Sequence, residues 1–415
     1  MEKEKLRQVL TEQNKFRDGK LVPRELIRKI DTFEKTPFII IVSGIRRAGK
    51  STLLHELRAK RRESYYVNFD DDRLIDFHVD DFQTMYELLI ELFGKKNTFF
   101  FDEIQNINSW ERFVRRLNDN GSKVFITGSN ASMLSKDLGT HLTGRNISFS
   151  LYPFSFREFL LFKDFEPSLD NLTSEKKGQI KKLFNEFFEK GGFPEYLQTE
   201  KEEYIKSVYE NILYRDIVSR YKLPTERSLK ETVYYAASNI GKEISFNSIR
   251  KLAGLTSATT IREYFEYLEN SYLAFLIPRY SASLNNQIYS NKKVYLVDNG
   301  MVKLLGFRPS EDKGRILENI VFIELKRKGK EIFYHRDKYE CDFIMRDGPR
   351  ISQAIQVCYS LEADREVNGL LEAMEKYRLR EGLILTDDTE KEISSGSKKI
   401  IVKPVWKWLL EDEQA

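Results

Sequence analysis

The stretch Phe38-Ile39-Ile40-Ile41-Val42-Ser43-Gly44-Ile45-Arg46-Arg47-Ala48-Gly49-Lys50-Ser51-Thr52 decides how this chain is read. Five apolar residues, four of them β-branched, give the run of a fully buried strand. The run stops at Gly44, and a helical pattern begins at Ser51. Between them Gly44, Gly49, Lys50 and Ser51 complete the spacing G-x-x-x-x-G-K-[ST]. Glycines at those positions let the backbone curl so that successive N–H groups face a phosphate, and the following helix adds its positive end. The expected cradle is therefore Gly44, Ile45, Arg46, Arg47, Ala48, Gly49, Lys50, Ser51 and Thr52. Lys50 would reach the β- and γ-phosphates, and the Ser51 hydroxyl would ligate Mg²⁺.

Working outward, further strands are expected at 64–69, 98–102, 123–127 and 146–151, with helices between several of them (84–93, 109–118). Strands alternating with helices predict a parallel sheet covered on both faces. The strand Thr98-Phe99-Phe100-Phe101 ends in Asp102-Glu103, a pairing suited to ATP chemistry. Asp102 would hold Mg²⁺ through water, and Glu103 would orient or deprotonate the attacking water. The next strand ends in Gly128-Ser129-Asn130, where either Ser129 or Asn130 would sense the γ-phosphate. Leu142-Thr143-Gly144-Arg145 precedes the last strand, and an arginine there can neutralise transition-state charge on a neighbouring subunit's nucleotide.

Bulk properties set limits on this reading. A chain of 415 residues exceeds one core, and 41% hydrophobic content supplies several. Net charge is only +4, from 68 basic and 64 acidic residues, so charge alone does not require nucleic acid. The charged start, Met-Glu-Lys-Glu-Lys-Leu-Arg, has no secretory core, and no apolar run reaches a bilayer-spanning length. A cytoplasmic protein with no membrane segment is expected. Two cysteines, Cys341 and Cys358, exclude a disulfide framework. His55, His78, His141 and His335 show no ligand spacing.

The order of loop strand, extra strand, Asp-Glu strand, Gly-Ser-Asn strand and Gly-Arg strand resembles the AAA-type ATPases. More narrowly, the chain is similar to archaeal and bacterial ATPases that carry a C-terminal domain of unknown function. The narrower likeness rests on Gly44–Thr52, Phe101–Gln105, Ile126–Ser129, Leu151-Tyr152-Pro153-Phe154-Ser155-Phe156-Arg157-Glu158-Phe159 and Gly191-Gly192-Phe193-Pro194-Glu195-Tyr196. It implies ATP binding and hydrolysis by Gly44, Gly49, Lys50, Ser51, Asp102, Glu103 and Ser129, with Arg145 as a further candidate in a homo-oligomer. It also implies a lid role for helices within 156–225, where Phe184, Phe187 and Phe188 mark a buried face.

Residues 226–297 change character. Helices over 229–239, 246–253 and 258–269, then strands at 273–277 and 293–297 flanking a polar loop, give the winged-helix pattern. In its third helix Arg262 stands against Glu263, Glu266 and Glu269, so DNA and a protein remain alternative partners. Residues 298–415 follow with a helix (314–328), strands at 331–335, 340–346 and 351–358, a helix (363–377) and a strand (382–385). This order is similar to the restriction-endonuclease-like fold, which implies that Glu318 and Asp342 stand at metal-ligand positions. The third position reads Gln356-Val357-Cys358, without the acidic residue and the lysine, so the nuclease-like domain is expected to be degenerate. Strand alternation puts Asp342, Gln356 and Cys358 on one face and Cys341 on the other.

The resulting expectation is an α/β multidomain chain: an N-terminal helical segment (1–36), a P-loop AAA-type ATPase domain (37–155), a helical lid-like region (156–225), a winged helix (226–297) and a nuclease-like domain (298–415). It would bind ATP and Mg²⁺ and use hydrolysis to move or switch the attached modules on an unidentified client. The alternatives are an ATP-gated nuclease and a non-hydrolysing, ATP-bound regulator that binds DNA or protein.

Overall fold

β-Branched and aromatic runs become strands wherever the sequence places them between polar turns. The computed structural model describes residues 1–16, 21–129, 142, 144–170, 172–307, 312–361 and 364–411. Contacts divide the chain into two compact units, Met1–Tyr152 and Pro153–Ala415.

The first unit contains β1 (Ile39–Gly44), β2 (Ser64–Asn68), β3 (Thr98–Asp102), β4 (Lys123–Gly128) and β5 (Asn146–Leu151). Their order is β2-β3-β4-β1-β5, and every neighbouring pair is parallel. All six residues of β1 are buried, as a central parallel strand covered on both faces requires. The helices are α1 (Lys3–Gln13), α2 (Leu26–Asp31), α3 (Lys50–Ala59), α4 (Asp81–Phe93) and α5 (Trp110–Asp119). Leu6, Val9 and Leu10 of α1 join the core that holds Ile39, Ile41, Met85, Leu88, Phe99 and Phe101. Residues before the loop strand are thus part of this unit's core. Within the expected helical segment, α2 begins at Leu26, three residues after Pro23. Arg24 lies ahead of the helix, and its guanidinium is engaged by two distant carbonyls.

Register aligns the carboxyl ends of the strands. Ser43 pairs with Gly128, Asn68 with Asp102, and Phe101 with Ile126. Residues that follow those positions therefore emerge together at one edge, where open α/β sheets bind ligands.

The second unit opens with helices Phe156–Phe162 and Ser174–Lys190; the latter buries Phe184, Phe187 and Phe188, as expected. Gly192 N–H donates to Asp298 Oδ2 at 2.6 Å and Gly300 N–H to Oδ1 at 2.8 Å. Burial nevertheless pushes the Asp298 carboxyl up to about 6. Helices Arg227–Ser238, Phe246–Leu252 and Ala258–Asn270 then accompany a small antiparallel sheet of β6 (Glu243–Ile244), β7 (Ala274–Pro278) and β8 (Lys292–Leu296), ordered β6-β8-β7. The expected polar loop between β7 and β8 holds a short helix, Leu284–Tyr289, capped by Ser283.

After helix Lys313–Arg327 come β9 (Glu331–Arg336), β10 (Glu340–Asp347), β11 (Arg350–Val357), helix Asp364–Lys376, β12 (Glu381–Thr386), β13 (Lys391–Ser395) and β14 (Lys398–Pro404). These strands form one sheet ordered β13-β14-β12-β11-β10-β9. Both cysteines are free and buried, yet they belong to one apolar cluster with Phe333 and Ile344. Alternation had placed them on opposite faces. β11 ends at Val357, so its alternation does not extend to Cys358.

Candidate active site at the carboxyl edge of the sheet

Between β1 and α3 the chain turns tightly against β5. A Cβ on Gly44 would meet the Leu151 carbonyl oxygen at 2.1 Å, so only glycine fits that approach. Gly49 takes the left-handed region at φ 95°, where a side chain would be strained. Lys50 then opens α3 with its side chain folded back over the loop. Its Nζ donates to Gly44 O at 3.1 Å and Ile45 O at 3.3 Å, and lies 3.6 Å from Glu103 Oε1.

Asp102 ends β3 fully buried. It accepts hydrogen bonds from Tyr66 Oη at 2.9 Å, from Thr127 Oγ1 and from Ser51. Burial first, and the Glu103 charge second, raise its carboxyl above the ordinary range. Glu103 is wound into the left-handed region at φ 51°, and its N–H donates to Thr127 Oγ1 at 3.1 Å. Thr127 on β4 thus bonds both acidic residues: it donates to one side chain and accepts from the other's backbone. Burial works against ionising Glu103. Lys50, the Gln105 side chain, Arg46 and Ser129 outweigh it and hold the carboxyl below its usual value. Ser129, at 2% exposure, supplies one of those hydrogen bonds.

This donor set fits a nucleotide and a hard cation. The Ser51 hydroxyl and the Asp102 carboxylate are adjacent oxygens of the kind that hold Mg²⁺. Loop N–H groups, Lys50 and the start of α3 present positive charge beside them.

Comparison with known proteins bears on the family and the fold. Residues 36–160 match a family model described as an AAA domain, and residues 181–311 match a domain of unknown function, DUF8612. The uncharacterized protein MJ1544 of Methanocaldococcus jannaschii is 35% identical over 396 residues, covering 90% of this chain and 88% of that protein. The chain belongs to the MJ1544 family. An uncharacterized protein of Haemophilus influenzae is 30% identical over 380 residues, covering 86% of this chain and 92% of its own. Among solved structures, the Walker-type ATPase PABY2304 of Pyrococcus abyssi is similar at a TM-score of 0.45 and 16% identity, covering 70% of this chain and 97% of that one. The first unit of this MJ1544-family chain has the P-loop fold of AAA-type ATPases.

Within this MJ1544-family member, Lys50, Ser51, Asp102, Glu103 and Ser129 meet at one edge. Asn130 and Thr143 lie outside the described residues. Arg145 stands apart: it directly precedes Asn146, at the amino end of β5, and its guanidinium pairs with Asp119. Glu318 and Asp342 come together in the second unit, on either side of the Lys293 ammonium.

Four contributors were missed from sequence. Tyr66 and Thr127 bond Asp102, and Gln105 bonds Glu103. Arg24 Nη1 donates to Ala48 O and Nη2 to Tyr152 O, each at 2.7 Å. For Thr127 a signal existed, a polar residue ending an otherwise apolar strand. Arg24 offered none, because its partners lie 24 and 128 residues away.

Proposed function

We propose that the first unit binds ATP with Mg²⁺ and hydrolyses it, and that the second unit is the part the cycle switches. The meeting of Lys50, Ser51, Asp102, Glu103 and Ser129 at the carboxyl edge carries this reading. Loop residues Gly44 to Thr52 would hold the phosphates, with Lys50 neutralising the terminal ones. Ser51 and Asp102 would hold Mg²⁺, which when bound offsets charge on the transferred phosphate oxygens. Glu103, kept ionised by its neighbours, would take the proton of the attacking water, while Gln105 and Ser129 aim its oxygens. Arg145 faces away from its own loop and would act on a second copy's nucleotide, which makes a homo-oligomer part of the proposal.

Steady-state turnover combined with equilibrium ATP binding tests this. Lys50→Ala should lose binding. Glu103→Gln should still bind ATP while turnover falls roughly 100-fold or more. Absent wild-type turnover, or turnover unchanged in both variants, would overturn the reading.

The order of three helices and β6 to β8 supports a winged-helix module within residues 226–297. Glu269 Oε1 accepts from Leu276 N–H at 2.8 Å and so serves the fold. Exposed on the same helix are Arg262, Glu263 and Glu266, an acidic balance unsuited to a phosphate-lined groove. The client is therefore read as a protein. No helix among the described residues is long and apolar enough to cross a membrane; a cytoplasmic location accompanies the proposal.

A further inference from the structure

Three carboxylates of the second unit converge on one atom. Glu318 comes from helix Lys313–Arg327, and Glu340 and Asp342 come from β10, two residues apart and so on one face. Glu340 Oε1, Asp342 Oδ1 and Glu318 Oε1 lie 2.8, 2.9 and 3.1 Å from Lys293 Nζ. Oxygens gathered in this way form the surroundings of a hard divalent cation. Here the centre is filled by the chain's own ammonium, whose three N–H donors match the three acceptors.

The lysine is held firmly. Lys293 is 0% exposed on β8, and Tyr295, on the same face of that strand, donates to Glu318 Oε1 at 2.6 Å. Leu296 N–H donates to Asn319 Oδ1 at 3.0 Å, which anchors β8 to the helix that carries Glu318. Val357 N–H donates to Asp342 Oδ2 at 2.9 Å, and Gln356 Oε1 accepts from Asp342 N–H at 3.3 Å. Burial opposes the charge on Lys293, but Asp342, Glu318 and Glu340 outweigh it and stabilise the ammonium well beyond the ordinary range.

We infer that Lys293 is the resident cation of this acidic site, standing where a divalent ion would sit and excluding it, so that the six-stranded domain does not support metal-dependent cleavage of phosphodiesters. The inference is independent of ATP hydrolysis by the first unit. It also identifies the site's latent ligand class: with the ammonium removed, the cage should accept Mn²⁺ or Mg²⁺.

The test uses the full chain without nucleotide, in millimolar MnCl₂ or in EDTA. Any Mn²⁺ effect on wild-type Tm, such as one from Ser51 and Asp102, should survive Asp342→Asn unchanged. Lys293→Ala should unfold about 10 °C lower in EDTA, since it leaves buried acids uncompensated. Mn²⁺ should restore at least half of that loss, with titration showing one more bound ion than wild type. Adding Asp342→Asn should abolish the restoration. A wild-type Tm rise with Mn²⁺ that Asp342→Asn removes would overturn the inference, as would Lys293→Ala binding no additional ion. If Lys293→Ala does not fold, the combination Lys293→Met, Glu318→Gln, Asp342→Asn decides. Folding of that neutralised set supports the counter-ion role, and its failure overturns it.

Discussion

Thr127 shows how much one hydroxyl can organise. Its oxygen donates to Asp102 and accepts from the Glu103 N–H, so it sets both the carboxylate proposed to hold the cation and the turn that aims the proposed base. Thr127→Val keeps the shape and removes both bonds. The expected result is a loss of about 1–3 kcal/mol in unfolding free energy, from groups left unsatisfied in a buried place. Turnover should fall at least tenfold by the same reasoning, with ATP affinity nearly kept. Denaturant unfolding and steady-state kinetics on the same preparation check both. Arg24 acts on the loop itself. A planar trans peptide points its C=O and N–H in opposite directions, so fixing Ala48 O toward Arg24 turns the Gly49 N–H the other way. Arg24→Ala should weaken ATP binding about tenfold, the value of one charged hydrogen bond. Arg24→Lys should recover less than half of it, because an ammonium lacks the guanidinium's fixed fork. Equal affinity in all three proteins would remove Arg24 from the site.

Among the elements, α1 is tied to the end of β2 by side chains rather than by its own caps. Gln13 Nε2 donates to Asn68 O at 3.2 Å and to Asp71 Oδ2 at 2.9 Å. Arg73 and Gln13 together hold the Asp71 carboxyl at about 2. A carboxyl lowered from its unfolded value contributes stability above that value, and the contribution disappears as pH falls through the folded one. Asp71→Asn should therefore cost about 1–2 kcal/mol at neutral pH, and the gap from wild type should close as pH approaches 2. Urea midpoints across pH 2 to 7 measure it.

Strands of the first unit were legible because buried parallel strands are continuous apolar runs, and the loop was legible because its spacing is set by phosphate geometry. β6, with two residues, and the β13–β14 pair were not. The first is too short for a pattern. In the pair, Lys391, Glu392, Lys398 and Lys399 mask the alternation. At the acidic site Glu318 and Asp342 were readable by type, but Lys293 was not. A lysine on a strand reads as solvated, and only the fold brings it to partners 25 and 49 residues away.

For the molecule as a whole, the proposal requires that nucleotide in one unit be felt in the other. Trp110 reports on the first unit, and Trp406 and Trp408 report on the second. In Glu103→Gln, ATP at a hundred times its Kd should stabilise the binding unit by about 2.7 kcal/mol. Comparing fluorescence unfolding of Trp110→Phe with that of the Trp406→Phe, Trp408→Phe pair separates the two signals. Coupling predicts that both midpoints move; movement of the Trp110 signal alone would show that the units ignore one another. The α1 segment also bears on how this protein should be dissected. Likeness to known domains begins at residue 36. A fragment cut there keeps every recognisable motif but loses Leu6, Val9 and Leu10 from the core. It also loses Asn14, whose amide bonds both the N–H and the carbonyl of Tyr66 at 3.0 Å, and it loses Arg24. The smallest autonomous piece of the P-loop unit is consequently larger than its recognisable portion, and inactivity of the shorter fragment would say nothing about the chemistry of the intact chain.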